Sequence, residues 1–265
     1  MNRDVSSALD LNVVSTSDLV LSIACADVLA TGGTEELLVE LDGQTLPVVE
    51  LNDAHGTRLH RFTSDPGALS VKYRANIPGR AEPAEVDEAD IVRYLRPSRY
   101  CESDSLGPTA HSTFADLEGM QLLEAVGSWV GTRLAYVSGS SLPTDGAVRT
   151  LLARQGVCRD FAHLCVALLR AKNVPARLTS VYAPGLSPMD FHAVCEAHVD
   201  SRWLVVDPTT LAPRTSMVRI ATGRDAADTA FLTILSGEMS LDKMRVSAIV
   251  DELPTDDVRD AVQLG

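Results

Sequence analysis

Apolar positions along this chain keep two periods, and the change between them divides it. From residue 11 to about 76, apolar and polar residues alternate in short runs, as half-buried strands do. Leu37-Leu38-Val39-Glu40-Leu41 and Thr45-Leu46-Pro47-Val48-Val49-Glu50-Leu51 flank Asp42-Gly43, a dipeptide that accepts positive φ, and predict a hairpin. Residues 57–62 and 69–74 predict two more strands, with Ser64-Asp65-Pro66-Gly67 as the turn between them. Short antiparallel strands punctuated by turns predict a small β-sandwich.

Residues 77–90 are rich in Pro and acids and read as a surface connection. Beyond them the period lengthens. Leu117, Met120, Leu123 and the run from Val126 to Trp129 follow helical spacing. Cys158 to Lys172 is apolar nearly all round, which predicts a central buried helix, ended by Asn173-Val174-Pro175. Residues 177–182, 193–199 and 203–206 return to strand patterning, and Val246 to Val250 predicts one strand more. The expected fold is α+β: an N-terminal antiparallel β-sandwich over 1–97, then a core over 98–265 with a helix packed on an antiparallel sheet.

Composition narrows the function. The chain has 265 residues, 45% hydrophobic and 22% charged, within the range of a globular protein. A net charge of −13 with no basic patch argues against nucleic acid and against anionic membrane. No run approaches the roughly 18 apolar residues of a membrane span. Five cysteines at scattered spacing do not form a disulfide framework, and with no basic-then-apolar leader the expected location is cytoplasmic.

One constellation carries chemistry. In Gln155-Gly156-Val157-Cys158-Arg159-Asp160-Phe161, a Gly-x-Cys step feeds the apolar helix. The thiol then sits at a helix N-terminus, where unpaired N–H groups and the dipole favour thiolate. A lone cysteine is most often a small buried hydrophobe; partners are what single out Cys158. His192 heads a strand, and Asp207 ends the next. A connection of two or four residues at Asp200-Ser201 places Val199 opposite Arg202, and Val194 opposite Asp207. His192 and Asp207 are then diagonal neighbours on one face. A three-residue loop without a bulge would put them on opposite faces. Nucleophile, base and orienter in this order suggest acyl transfer through a thioester.

Other candidates read as structural. His163 lies about 140° round the helix from Cys158, a core or supporting position. Asp160 suits the first helical turn. Cys195 alternates away from His192, so a zinc site from Cys158, Cys165, His192 and Cys195 would need ligands from opposed faces, and neither metal nor organic cofactor is expected.

The segments Gly156–Leu164, Val174-Pro175-Ala176-Arg177, the His192 strand and Trp203–Thr209 together resemble the transglutaminase-like superfamily of papain-type enzymes, in its bacterial cysteine-protease-like branch. Arg96-Pro97-Ser98-Arg99-Tyr100-Cys101 and the β-rich start resemble the N-terminal region that accompanies that domain. The resemblance implies a papain-like core and a triad of Cys158, His192 and Asp207. Val194 stands where the family often has an aromatic residue.

In this reading Cys158 attacks a carboxamide, His192 moves the proton, and Asp207 holds the imidazole tautomer. The Cys158 backbone N–H is one oxyanion donor, and Gln155 and Tyr136 are the polar candidates for a second. The expected function is a thiol amidohydrolase, peptidase or acyltransferase acting on a peptide or protein substrate at peptide or glutamine carboxamides. The rivals are an arylamine N-acetyltransferase-like acyl carrier, which lacks a basic patch for CoA phosphates here, and a non-catalytic binding scaffold.

Overall fold

The computed structural model describes residues 1–26, 28–83 and 85–265. Its first strand, β1 (Asn2–Leu21), starts well before the alternation becomes legible at residue 11. Arg3 and Ser7 occupy inward positions there and hide the pattern; Arg3 is 1% exposed and donates to the Met217 and Gly79 carbonyls.

β2 (Thr34–Leu41) and β3 (Gln44–Thr45) form the expected hairpin, with Asp42 (φ 48°) and Gly43 (φ 80°) in its turn. The hairpin is short. Pro47 cannot donate to the ladder, and β4 (Val49–Asn52) leaves to pair with β5 (Arg58–Ser64) instead. β6 (Gly67–Pro78) follows β5, but no reversal separates them. Both run antiparallel along the same edge of β1, β6 from Asn2 to Val13 and β5 from Ser17 to Leu21. The turn expected at 64–67 is therefore a kink, where Pro66 supplies no N–H and the Asp42 carboxylate takes the Ala68 N–H at 3.0 Å. β1 is irregular at the same level, so the expected sandwich takes the form of one antiparallel sheet curled over its own core. Leu9, Leu19, Val39, Phe62, Val71 and Tyr73 fill that core.

The acidic connection contains a short helix, α1 (Glu88–Arg93), capped by Asp87 through the Ala89 N–H; Ala84 lies outside the described residues. Then come α2 (Ser103–Thr113), α3 (Gly119–Arg133), β7 (Ala135–Tyr136), α4 (Ala147–Ala153), β8 (Gln155–Gly156) and α5 (Cys158–Ala171). α5 is the centre of the second core: Phe161, Leu164, Val166, Leu168 and Leu169 are buried against α2, α3 and the sheet. That sheet is antiparallel, ordered β11 (Arg202–Val206), β10 (Phe191–Val199), β9 (Ala176–Tyr182) and β12 (Val218–Gly223).

After α6 (Ala226–Thr229), β13 (Leu232–Val250) returns to the first sheet and pairs along almost all of β1. The chain thus crosses between the sheets twice, where the sequence predicts one crossing near residue 97. Only 246–250 of β13 is legible as a strand from sequence, because most of the rest is exposed and lacks an alternating apolar face. The two sheets share an apolar core, in which Tyr182, Val218 and Ile220 join residues of β1. The Tyr182 hydroxyl donates to the Ile23 carbonyl at 2.9 Å.

Candidate active site

Gly156 is required by its close neighbour Asp160. A Cβ on residue 156 would lie 2.6 Å from the Asp160 Cβ. The Asp160 carboxylate folds back to accept the Val157 N–H at 2.8 Å, closing the first turn of α5 and leaving Cys158 as its first helical residue. Arg159 ties the preceding loop to the helix, donating to Ser141 Oγ and the Leu142 carbonyl, both at 2.6 Å. Cys158 is partly exposed, whereas Cys25, Cys101, Cys165 and Cys195 are buried.

Asp200 (φ 51°) and Ser201 (φ 58°) form a two-residue turn between β10 and β11, the even connection that keeps His192 and Asp207 together. Val199 faces Arg202 and Cys195 faces Val206, so Asp207 follows directly beyond the ladder. His192 Nε2 lies 2.8 Å from Asp207 Oδ2. The other carboxylate oxygen accepts the Thr209 N–H (2.9 Å) and hydroxyl (2.7 Å). With Nε2–H donated to Asp207, His192 Nδ1 is the nitrogen left to exchange a proton; it is buried and has no hydrogen-bond partner. Burial pulls the His192 pKa down, but the Asp207 carboxylate and then Cys158 overrule it and hold the imidazole up at about 10. Burial pushes the Asp207 carboxyl up, and His192 and Thr209 bring it below its ordinary value.

Of the two oxyanion candidates, Tyr136 lies at Cys158. Its ring is 5.8 Å from that of Phe161, and burial and then the neighbouring Cys158 push its hydroxyl up to about 12. Gln155 is exposed on β8, and its side chain makes no hydrogen bond among the described residues. His163 is fully buried, stacks on Tyr100 and accepts the Ala226 N–H at 3.1 Å. Burial brings its pKa down to about 3, so it serves as a neutral acceptor. Thr209 is a contributor that sequence reasoning did not assign, although its spacing after Asp207 is that of an Asx turn.

Two cavities lie elsewhere. One of about 690 Å³ opens between Arg3, His55, Asp90 and Arg219, and one of about 500 Å³ lies between α3 and the 204–210 segment, with Asp207 in its lining. Neither is lined by Cys158 or His192. Among the described residues, no three His, Cys, Asp or Glu side chains converge as metal ligands, and no helix is long and apolar enough to cross a membrane.

The fold and its helix-borne cysteine coincide with a known family. Residues 113–208 match the Transglutaminase-like superfamily, and the chain belongs to it. Over 98% of its length it superimposes on 95% of the crystal structure of a candidate cysteine protease from Cytophaga hutchinsonii, with a TM-score of 0.88 and 32% identity. It is also 34% identical over 179 residues to the uncharacterized protein Rv2569c of Mycobacterium tuberculosis, covering 62% of this chain and 51% of that protein. To the uncharacterized protein ML0607 of Mycobacterium leprae it is 29% identical over 173 residues, 60% of each. The chain thus spans about half the length of the curated relatives it matches first. These likenesses support a thiol-dependent catalytic fold.

Proposed function

We propose that the protein is a cysteine-dependent amidohydrolase acting on peptide carboxamides, with Cys158, His192 and Asp207 as its triad. The observation that carries this reading is the buried His192–Asp207 bond, which leaves one imidazole nitrogen unpartnered beside a thiol at a helix N-terminus. Cys158 Sγ attacks the carbonyl carbon with its proton already held on His192 Nδ1, whose raised pKa favours the imidazolium. The Cys158 N–H and the Tyr136 hydroxyl stabilise the oxyanion. The C–N bond then breaks, His192 returns the proton to the leaving amine, and a thioester remains. Water attacks this thioester with His192 as base, and cleavage of the C–S bond restores the thiol. Asp207 keeps the tautomer productive throughout.

An amine in place of water would make the same thioester a transamidation intermediate. Five free thiols, four of them buried, fit a reducing compartment, which supports the cytoplasmic placement.

A peptide-library digest read by mass spectrometry, with and without added amine, tests the reaction. Truncated peptides are the expected products; amine adducts without truncation would make it an acyltransferase. Limited iodoacetamide treatment tests the thiol, with Cys158 expected to label well ahead of the four buried cysteines. No products of either kind, with Cys158 unlabelled, would leave a binding scaffold.

A further inference from the structure

The loop from Val137 to Asp145 is fixed to the molecule on both sides of the nucleophile. Before Cys158, β7 runs parallel to β8 with Tyr136 beside Gly156, and the Val137 N–H donates to the Gly156 carbonyl at 3.0 Å. After Cys158, Arg159 Nη2 donates to Ser141 Oγ and to the Leu142 carbonyl, both at 2.6 Å. The two anchors bracket Cys158 in the chain, so the loop runs past the thiol.

Polar bonds also set the loop's own shape. The Val137 carbonyl accepts the Ser140 hydroxyl at 2.8 Å and N–H at 3.2 Å. The Leu142 N–H donates to the Asp145 carboxylate, and the Leu142 carbonyl accepts the Asp145 N–H, both at 3.0 Å. Apolar burial adds little, because Tyr136, Val137 and Leu142 stay 46%, 40% and 59% exposed. Large apolar side chains so close in the chain, pinned by polar bonds and left exposed, form a surface for another apolar group.

Arg159 is placed against the interest of its own helix. It occupies the first turn of α5, where the dipole favours acids over cations. Apart from a longer contact with Asp160 at 3.4 Å, its hydrogen bonds among the described residues go to the loop. We propose that Arg159 is a positioning residue that clamps the 137–145 loop beside Cys158, so that Val137 and Leu142 favour substrates with a large aliphatic or aromatic side chain next to the scissile amide. This rests on the thiol chemistry proposed above, and two readouts separate the two claims.

The first needs no turnover: the ratio of Cys158 modification rates by benzyl and methyl methanethiosulfonate, divided by the same ratio for free cysteine. Both reagents are neutral, and the ratio cancels any change in the thiol itself. The parent should favour the benzyl reagent. Leu142→Ser should lower the ratio about fivefold, the worth of burying half a leucine side chain. Arg159→Ala should lower it as far by releasing the loop, and Ser141→Ala should lower it less. Arg159→Lys, which keeps a donor, should restore part of it. A role of Arg159 in stability alone would move the thermal midpoint and leave the ratio where it was.

The second readout is kcat/KM on peptides that differ only in Leu, Ala or Asp beside the cleaved bond. The order Leu over Ala over Asp is expected, and in Leu142→Ser and Arg159→Ala it should flatten through KM more than through kcat. An unchanged benzyl ratio in either variant overturns the assignment, as does a parent with no apolar preference. If Arg159→Ala fails to fold, Leu142→Ser and Ser141→Ala still decide it. If the modification ratios shift while no peptide is cleaved, apolar recognition at the thiol stands and the amidohydrolase reading falls.

Discussion

β10 carries two buried acid–base clusters. At its start His192 meets Asp207; four positions on, Glu196 lies between Arg177 and Arg219. Glu196 is completely occupied. Oε2 accepts Arg177 Nε (2.9 Å), Arg219 Nη1 (2.7 Å) and Thr179 Oγ1 (2.8 Å), and Oε1 accepts Arg219 Nη2 (2.8 Å). The Arg177 guanidinium also lies 4.0 Å over the Trp203 ring. Burial pushes the Glu196 carboxyl up, and the two arginines overrule it and hold it far below the carboxylate range. In the other cluster Asp207 is equally satisfied, yet His192 keeps Nδ1 buried and unpartnered beside a thiol. The first cluster offers no open acceptor, and its carboxylate can only hold the sheet together. The second leaves one imidazole nitrogen free to hold and release a proton, which is what proton transfer needs.

The largest separation between the clusters should appear in turnover. Cys158→Ala should abolish amide turnover with the thermal midpoint almost unchanged, because the lost group is small and sits at a helix end. Asp207→Asn should lower the rate by about a thousandfold or more through the wrong tautomer. Full turnover in Cys158→Ala would assign the nucleophile elsewhere.

Glu196→Gln should do the reverse. Two buried guanidinium groups lose their counter-charge, and stability should fall by about 3–5 kcal/mol in denaturant titration. The relative labelling of Cys158 in the folded fraction should stay as in the parent. A stability loss under about 1 kcal/mol would show that water reaches the cluster.

A smaller effect should come from the helix that backs Asp207. A Cβ on Gly131 of α3 would lie 2.5 Å from the Pro208 carbonyl oxygen, next to Asp207. Gly131→Ala should cost about 1–3 kcal/mol and lower kcat as Asp207 is displaced. Gly107→Ala in α2, with nothing within 4 Å of its Cβ, should instead gain up to about 1 kcal/mol. Equal effects at the two glycines would remove the claim that α3 sets the position of Asp207.

The smallest effect near neutrality is pH-dependent. His163 resists protonation down to about pH 3 when folded, whereas the unfolded chain takes up that proton near 6.5. The unfolded state therefore binds more protons between these values, and stability should fall as pH drops from 6.5 towards 3. The slope should approach about 1.4 kcal/mol per pH unit from this group. His163→Gln, which keeps an acceptor, should flatten that part of the curve; an unchanged slope would exclude His163 as its source.

Local pattern makes much of this molecule legible. The period of 158–172 predicts α5, because a helix buried on nearly every side is apolar on nearly every side. Asp42-Gly43 predicts its turn, because few dipeptides accept positive φ at both positions. The strands at 193–199 and 203–206 even predict how His192 meets Asp207, since the strand period of two makes an even connection keep them on one face. What local pattern could not decide was which strands pair. β5 and β6 share one edge of β1 because a kink there preserves direction, and Pro-Gly is compatible with kink and reversal alike. β13 joins β1 from the far end of the chain with almost no alternating apolar face, held by backbone hydrogen bonds that every sequence can make. The unpartnered Nδ1 of His192 and the closed shell of Glu196 also depend on neighbours distant in the chain. Burial and proximity create those electrostatics, and only the tertiary structure supplies them.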